Sequence, residues 1–215
     1  MIGFYDYTVI LTYLGFLSGV FGILQAMNGN LLVSILCLMF SGLCDMFDGK
    51  VARTKKKRTE EEKHFGIQLD SLSDLVCFGV LPAVICYQLG VILEGQIQVS
   101  KYYLVPVVLF YPLAALIRLA YFNVLEIMRK GDGPVKEYIG LPVTSAALVF
   151  PFLFIFKKFL GKYFALAYAI TLLVIGVLFI SRIKVKKPKT KQMILFIIIG
   201  VLEILLILTV RNFVR

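Results

Sequence analysis

The sequence predicts an all-α protein, a polytopic bundle of about seven transmembrane helices. Its 215 residues are 60% hydrophobic and only 17% charged, which exceeds the apolar share of a typical soluble domain. Apolar windows of about 17 to 25 residues, the length that a helix needs to cross a bilayer core, recur along the chain. The alternating pattern of a membrane β-barrel is absent from the sequence, so helices are expected.

Seven apolar windows cover most of the chain, and each is expected to form one helix. They lie at about 8–26, 31–50, 67–89, 102–122, 139–156, 163–181 and 192–210. No basic stretch precedes the first window, so we expect it to remain as a helix rather than act as a cleaved signal. The sequence leaves no room for a soluble domain. We therefore expect one membrane domain over residues 1–215, with 192–210 as an extra C-terminal helix.

Small residues and a proline bear on how the helices pack. Gly15 and Gly19 form a G-x-x-x-G pattern in the first window, which suits close packing within the bundle and dimerisation equally well. Gly79 and Pro82 predict a kink in the third helix, which would open a lateral groove for lipid tails. The four cysteines lack C-x-x-C spacing and fall within predicted helices, so we expect buried packing. Glu203 is expected to face either the bundle or a second subunit.

The distribution of Lys and Arg predicts the orientation in the membrane. Sixteen of the 23 basic residues lie in the connections 50–66, 123–138 and 182–191, against six on the opposite side, with Arg118 inside a helix. Because basic connections stay in the cytoplasm, this face is expected to be cytoplasmic. The run 182–191 also suits anionic lipid headgroups. Nucleic acid is a poor partner, since no soluble module presents the charge.

Four aspartates occupy predicted spans, where carboxylates are costly. Asp45 and Asp48 lie near the end of the second helix, and Asp70 and Asp74 near the start of the third. Helical periodicity places each pair on one face, and the two helices are joined by one connection, so the four carboxylates can converge. Arg118 alone cannot balance four negative charges.

Divalent cations could balance these charges. Four carboxylates match two Mg²⁺ or Mn²⁺ ions, hard cations that favour oxygen ligands, and two such ions suit displacement at phosphorus. Gly49, Gly66 and the small Ala52 leave room for a ligand near the backbone, and Arg53 is placed to bind a phosphate.

The alternatives to a metal site are a structural polar cluster or a cation path through a transporter. No acidic residue continues such a path beyond Asp74. His64, without a partner at ligand spacing, is expected to be solvated.

The spacing of these residues resembles the signature of the CDP-alcohol phosphotransferases, which transfer a phosphatidyl or similar group from a CDP-activated donor to an alcohol and release CMP. The signature spans residues 45–74: Asp45, Asp48-Gly49, Ala52-Arg53, Gly66, Asp70 and Asp74. Four further blocks, at 69–83, 117–124, 139–148 and 181–188, resemble those of phosphatidylserine synthases of the bacterial and archaeal type.

The resemblance implies a role for each signature residue. Asp45, Asp48, Asp70 and Asp74 would bind two divalent cations, and Asp74 would also take the proton from the acceptor hydroxyl. Asp48, Gly49, Ala52 and Gly66 would line the cytidine pocket, with Arg53 near the diphosphate. The donor would be CDP-diacylglycerol or an archaeal ether-lipid equivalent, the acceptor L-serine, and the enzyme a homodimer in the cell membrane.

Arg118 bears on which acceptor the site would bind. A guanidinium binds a carboxylate through two parallel hydrogen bonds, so Arg118 is the candidate for the serine carboxylate. Alternatively it pairs with an aspartate or reaches a lipid phosphate. Inositol phosphate and glycerol phosphate remain alternative acceptors, although each would call for more basic residues near the site.

Overall fold

The computed structural model describes residues 3–92, 101–128, 137–186 and 190–212. These form seven main helices, joined by short helical turns at Lys101–Leu104, Val143–Ser145, Lys157–Leu160 and Gly161–Tyr163. The helices are α1 (Ile10–Met27), α2 (Leu31–Ala52), α3 (Glu60–Ile92), α4 (Val105–Ile127), α5 (Ala146–Ile155), α6 (Phe164–Ile180) and α7 (Thr190–Asn212).

Six of the described helices are long and apolar enough to cross a membrane, and a seventh, Val143–Ile155, is shorter. The chain is therefore an integral membrane protein with an all-α bundle, as the composition predicts. Of the basic residues used for the orientation, several lie outside the described residues: Arg129, Lys130, Lys136, Lys187, Lys189 and Arg215.

The expected start of the fifth helix, at residue 139, is wrong. Residues Glu137–Ile139 form strand β1, which pairs antiparallel with strand β2, Lys184–Lys186. Gly140 follows with φ +79°, and a Cβ there would lie 2.5 Å from the Phe179 carbonyl oxygen, so only glycine fits. Pro142 then has extended ψ, and helical structure begins at Val143. A backbone turn thus occupies the start of the apolar window.

Helix α3 begins seven residues earlier than expected, at Glu60 rather than 67. Thr59 caps it: the Thr59 hydroxyl accepts a hydrogen bond from the Glu62 amide, and the Glu62 side chain accepts one from the Thr59 amide. This reciprocal capping box satisfies two amides that a helix start otherwise leaves unpaired. The acidic side chains of the first turn also interact favourably with the helix dipole. His64, expected to be solvated, is exposed on this extension.

Helix α3 changes its winding directly after Asp74. Residues Leu75–Val80 are π-helical, and the Leu81 amide donates to the Val76 carbonyl. Such segments insert an extra residue into a helix and often occur at functional sites. Gly79 lies here against α4, where a Cβ would approach Ala115 to 3.2 Å. The π-helical segment thus includes Gly79 and ends just before Pro82, and the kink expected at these residues stays a prediction.

Helix α1 packs tightly on α2 and α3 through its glycines. A Cβ on Gly19 would lie 2.5 Å from Cys77 Sγ, and one on Gly15 would lie 3.2 Å from Cys44 Cβ. Ser41 Oγ donates to the Gly15 carbonyl at 2.8 Å. Small residues and serine hydroxyls of this kind bring membrane helices close together. Close packing within the bundle therefore explains the G-x-x-x-G pattern.

Aromatic rings fill the centre between α4, α5 and α6. Phe150 stacks on Tyr168 with ring centroids 4.8 Å apart, and Tyr111 lies 5.3 Å from Phe179. All four side chains are buried. Cys44, Cys77 and Cys86 are also buried and unbonded to one another, and Cys37 is half-buried, which confirms the expectation of packing.

Helix α7 packs against α5 and α2. A Cβ on Gly200 would contact Leu148 and Met39 at 3.9 Å, which is ordinary packing distance. Glu203, on the same side of the helix, is only 4% exposed, and within the described part of the chain its Oε2 has no hydrogen-bond partner. Of the two expected placements, Glu203 therefore takes the one that faces the bundle.

A carboxylate cluster as the candidate active site

The four aspartates meet where the end of α2 lies against the start of α3. One carboxylate oxygen each from Asp45, Asp70 and Asp74 can be chosen so that all lie within 4.8 Å of one another. Across the two helices, the carboxyl group of Asp45 contacts that of Asp74, and Asp48 contacts Asp70. The structure therefore brings together all four carboxylates that the helical periodicity placed on facing sides.

These carboxylates surround a small polar cavity of about 10 Å³, room for about one water-sized group. Carboxylates this close repel one another unless a cation or a proton lies between them. Oxygen donors at this density match the preference of Mg²⁺ and Mn²⁺. The residues present therefore fit a divalent cation by donor type and by number.

Helix α1 contributes a residue that the sequence reasoning missed. Thr12 Oγ1 donates to Asp48 Oδ2 at 3.0 Å, and both side chains are buried. A hydrogen bond of this kind fixes the direction of a ligand oxygen. The sequence did contain one signal for Thr12. It lies on the same helical face as Gly15 and Gly19, which face α2 and α3.

A guanidinium lies over each signature glycine. A Cβ on Gly49 would lie 3.6 Å from Arg53 Nη1, and a Cβ on Gly66 would lie 2.9 Å from Arg58 Nη2. Arg53 is where the signature places it, whereas Arg58 was not singled out from the basic run around it. Ala52 is half-buried at the last position of α2. Both glycines thus leave space that arginine side chains reach.

The N-terminal segment ties down the connection between α2 and α3. Lys55 Nζ donates to Asp6 Oδ2 at 2.6 Å and to Glu62 Oε1 at 2.9 Å. The hydrogen bond from Lys55, helped by Thr8, lowers the pKa of Asp6 to about 2, and these partners raise the pKa of Lys55. Because the Asp6 pKa is lowered, the pair is intact at neutral pH and is lost only as pH falls through about 2.

Further along α3 and α4, a polar network lies beside the aspartates. Ser71 Oγ donates to Asn123 Oδ1 at 2.7 Å, and Asn123 Nδ2 lies 3.5 Å from Gln68 Oε1. Arg118, one turn earlier on α4, is buried, and its guanidinium carbon lies 5.6 Å from the Phe122 ring centre. Its charge is near enough to Asp45 to attract it. Arg118 therefore lies beside the cluster.

A site of this form can hold divalent cations beside a buried carboxyl group, with arginine side chains near the signature glycines of the same two helices. Such an arrangement suits phosphoryl transfer, in which cations and arginines stabilise charge on phosphate oxygens while a carboxylate accepts a proton. It lies at one end of a bundle of helices that are long and apolar enough to cross a membrane. The chemistry and the location are consistent with the resemblance noted in the sequence.

Comparison with known proteins gives the family. The model of the CDP-alcohol phosphatidyltransferase family matches residues 8–214. The chain is 32% identical over 181 residues to the archaetidylserine synthase of Methanothermobacter thermautotrophicus, covering 81% of this chain and 67% of that protein. It is 34% identical over 169 residues to the CDP-diacylglycerol–serine O-phosphatidyltransferase of Methanocaldococcus jannaschii, covering 79% and 71%. The chain therefore belongs to the CDP-alcohol phosphatidyltransferase family.

Proposed function

We propose that this protein transfers a phosphatidyl group, or its ether-lipid equivalent, from a CDP-lipid to the hydroxyl of L-serine and releases CMP. The observation that carries the proposal is the convergence of Asp45, Asp70 and Asp74 within 4.8 Å at one end of a membrane bundle. The names of two relatives, archaetidylserine synthase and CDP-diacylglycerol–serine O-phosphatidyltransferase, support serine as the acceptor. Residues 1–215 would act as one catalytic domain.

Asp45, Asp48, Asp70 and Asp74 would hold two divalent cations, Mg²⁺ or Mn²⁺. When bound, these cations would neutralise the charge that develops on the phosphate oxygens. Thr12 keeps one Asp48 oxygen directed by its hydrogen bond. Since the cavity has room for about one water-sized group, the carboxylates would have to move apart to accommodate both ions.

Asp74 would accept the proton of the serine hydroxyl. The serine oxygen then bonds to the lipid-bearing phosphorus while the bond from that phosphorus to the CMP oxygen breaks. Asp74 is buried and lies directly before the π-helical segment Leu75–Val80. A positioned base of this kind typically contributes about 10²- to 10⁴-fold in rate.

The groups around the cluster would bind the two substrates. Arg53 lies over Gly49 and would contact the diphosphate, with Ala52 and Gly66 beside the cytidine. Arg118, buried near Asp45, would bind the serine carboxylate. We also propose that the site faces the cytoplasm in the cell membrane and that the protein is a homodimer, as the resemblance implies.

The test is CMP release by the purified protein in detergent with CDP-diacylglycerol and Mn²⁺ or Mg²⁺. L-serine, inositol phosphate and glycerol phosphate would be compared as acceptors. Asp74→Asn should lower serine-dependent release by at least about 10²-fold. Glu203→Gln is the matched control, because it neutralises another buried membrane carboxyl group outside the cluster, and it should retain activity.

Each outcome assigns the reaction differently. Release that needs both serine and metal and disappears in Asp74→Asn supports the proposal. Release with a phosphorylated acceptor instead of serine would keep the family chemistry and overturn the substrate. If a CDP-linked ether lipid is needed in place of CDP-diacylglycerol, the donor class changes but the reaction does not. Unchanged turnover in Asp74→Asn would overturn the role of Asp74.

A further inference from the structure

Arg58 lies in the connection between α2 and α3, and one of its hydrogen-bond donors lacks an acceptor among the described residues. Its Nη2 donates to the Glu62 carbonyl oxygen at 3.2 Å. Its Nε is buried and, among the described residues, has no hydrogen-bond partner. A buried guanidinium donor without an acceptor is costly. The described residues therefore leave this donor without an acceptor, and an anionic group bound beside Arg58 would supply one.

The place of this guanidinium relates it to the carboxylate cluster. A Cβ on Gly66 would lie 2.9 Å from Arg58 Nη2, so the side chain crosses α3 at Gly66, about one turn before Asp70. Arg53 lies over Gly49, next to Asp48 on α2. Each of the two helices that carry the carboxylates therefore has an arginine at its signature glycine.

The neighbouring lysines are placed differently. Lys56 and Lys57 are exposed, whereas Arg58 is half-buried against α3. A diphosphate carries two anionic groups, and the planar guanidinium binds phosphate oxygens through paired hydrogen bonds. The carboxylates, which hold cations, and the arginines would contact different oxygens of the same group. Its half-buried position against α3 therefore distinguishes Arg58 from the exposed lysines of the same connection.

Several contacts hold Arg58 in this position. Glu62, whose carbonyl accepts from Arg58, also binds Lys55 through its side chain, and Lys55 in turn binds Asp6. Tyr7 and Thr54 are joined by a hydrogen bond of 3.2 Å between their hydroxyl groups. The connection is therefore fixed to both α3 and the N-terminal segment.

We propose that Arg58 is a second phosphate-binding arginine of the donor site, directed at the diphosphate of a CDP-lipid, and that Lys55 is a positioning residue for it. The inference rests on the proposed function, because it takes the donor to be CDP-linked. It assigns a binding role to a residue outside the signature, in the twelve-residue stretch between Arg53 and Gly66.

The test is direct binding of CDP to the full-length protein in detergent with Mn²⁺, measured by calorimetry beside the KM for CDP-diacylglycerol. Arg58→Gln should weaken CDP binding by about 10- to 100-fold and raise the donor KM, with the serine KM unchanged. Lys57→Gln is the matched control, since it removes the same charge from the same connection at an exposed position, and it should stay within about 2-fold of the wild type.

Two further variants separate binding from folding and from positioning. Arg58→Lys keeps the charge but loses the planar fork, and it should weaken CDP binding by about 5-fold or more even if Arg58→Gln does not fold. Lys55→Gln should weaken binding in the wild-type background and add little in the Arg58→Lys background, because it acts through Arg58. A purely structural Lys55 would give additive effects.

The outcomes distinguish this inference from the proposed function. Wild-type affinity for CDP in the folded Arg58 variants, or an equal loss in Lys57→Gln, would overturn the role of Arg58 and leave the transferase proposal intact. A wild-type protein that binds no CDP in the presence of metal would overturn both. Additive effects of Lys55→Gln would overturn only its positioning role.

Discussion

At the scale of single residues, the hydrogen bond from Thr12 to Asp48 would link the proposed metal binding to helix α1. Thr12→Val keeps the side-chain shape but removes the donor that directs Asp48 Oδ2. Loss of such a partner typically weakens metal binding by about 10- to 100-fold. We expect this loss in Mn²⁺ affinity, measured by calorimetry on the purified protein.

The same substitution elsewhere serves as the control for Thr12. Thr209→Val changes an exposed hydroxyl on α7 that donates within its own helix, to the Leu205 carbonyl. Mn²⁺ affinity should be unchanged in that variant. If Thr12→Val binds Mn²⁺ as tightly as the wild type, Thr12 does not orient a metal ligand.

Arg118 provides the second prediction at this scale. Arg118→Lys keeps the positive charge near Asp45 but loses the planar pair of donors that matches a carboxylate. The KM for serine should rise by roughly 10-fold or more, since hydrogen bonds to charged groups contribute about 1.5 to 3 kcal/mol. The KM for the CDP-lipid should change by less than about 2-fold. Equal changes in both constants would contradict the assignment of Arg118 to the acceptor.

At the scale of helices, much of the site could be predicted because one physical constraint dominates. Carboxylates inside a membrane span are costly, so Asp45, Asp48, Asp70 and Asp74 had to share a compensating arrangement. Helical periodicity then placed them on facing sides. Thr12 and Arg58 could not be predicted in this way, because a threonine in an apolar span and an arginine in a basic run are ordinary features of sequence. Thr12 shares a helical face with Gly15 and Gly19, but for both residues it is the contacts in the structure that indicate a role.

The predicted helix boundaries were wrong where local hydrogen bonding or backbone conformation, rather than hydropathy, decided where a helix begins. The Thr59 and Glu62 capping box starts α3 within a charged stretch that hydropathy assigns to a loop. That signal was present in the sequence as T-x-x-E. At the fifth helix, Gly140 and the β1–β2 pairing occupy residues that are apolar enough to span. The pairing is between segments distant in sequence, so no local pattern could reveal it.

The packing of α1 on α3 leads to a prediction about stability. Gly19→Ala would place a Cβ 2.5 Å from Cys77 Sγ, and both Cys77 Cα and Cys77 Cβ lie at 3.3 Å, so a helix must shift. Overpacking of this kind typically destabilises by about 1 to 3 kcal/mol. Thermal unfolding in detergent should therefore show a lower Tm for Gly19→Ala.

A second helical glycine tests whether the effect is one of space. Gly200→Ala on α7 would meet its nearest atoms at 3.9 Å, an ordinary contact. Alanine also has a higher helix propensity than glycine, so the Tm of Gly200→Ala should be equal to that of the wild type or higher. A fall in Tm of equal size in both variants would show that the α1–α3 contact is not the cause.

At the scale of the whole molecule, the order of the helices places the chemistry at one end of the bundle. α2 ends and α3 begins at the carboxylate cluster, and the N-terminal segment contacts the same connection through Asp6 and Lys55. The turn around Phe159, between α5 and α6, lies at the other end of these helices. The nucleotide headgroup of a CDP-linked lipid and free serine would both have to reach the cluster from the aqueous phase at its own end of the bundle.

This arrangement makes the orientation testable with single cysteines. Lys57 and Phe159 are both exposed, Phe159 by 90%, whereas the native cysteines lie within helices. Because basic connections stay in the cytoplasm, Phe159→Cys should react with a membrane-impermeant maleimide in intact spheroplasts. Lys57→Cys should react only after the membrane is permeabilised, and the wild type should give the background. Labelling of Lys57→Cys in intact spheroplasts would contradict the proposal that the carboxylate cluster faces the cytoplasm.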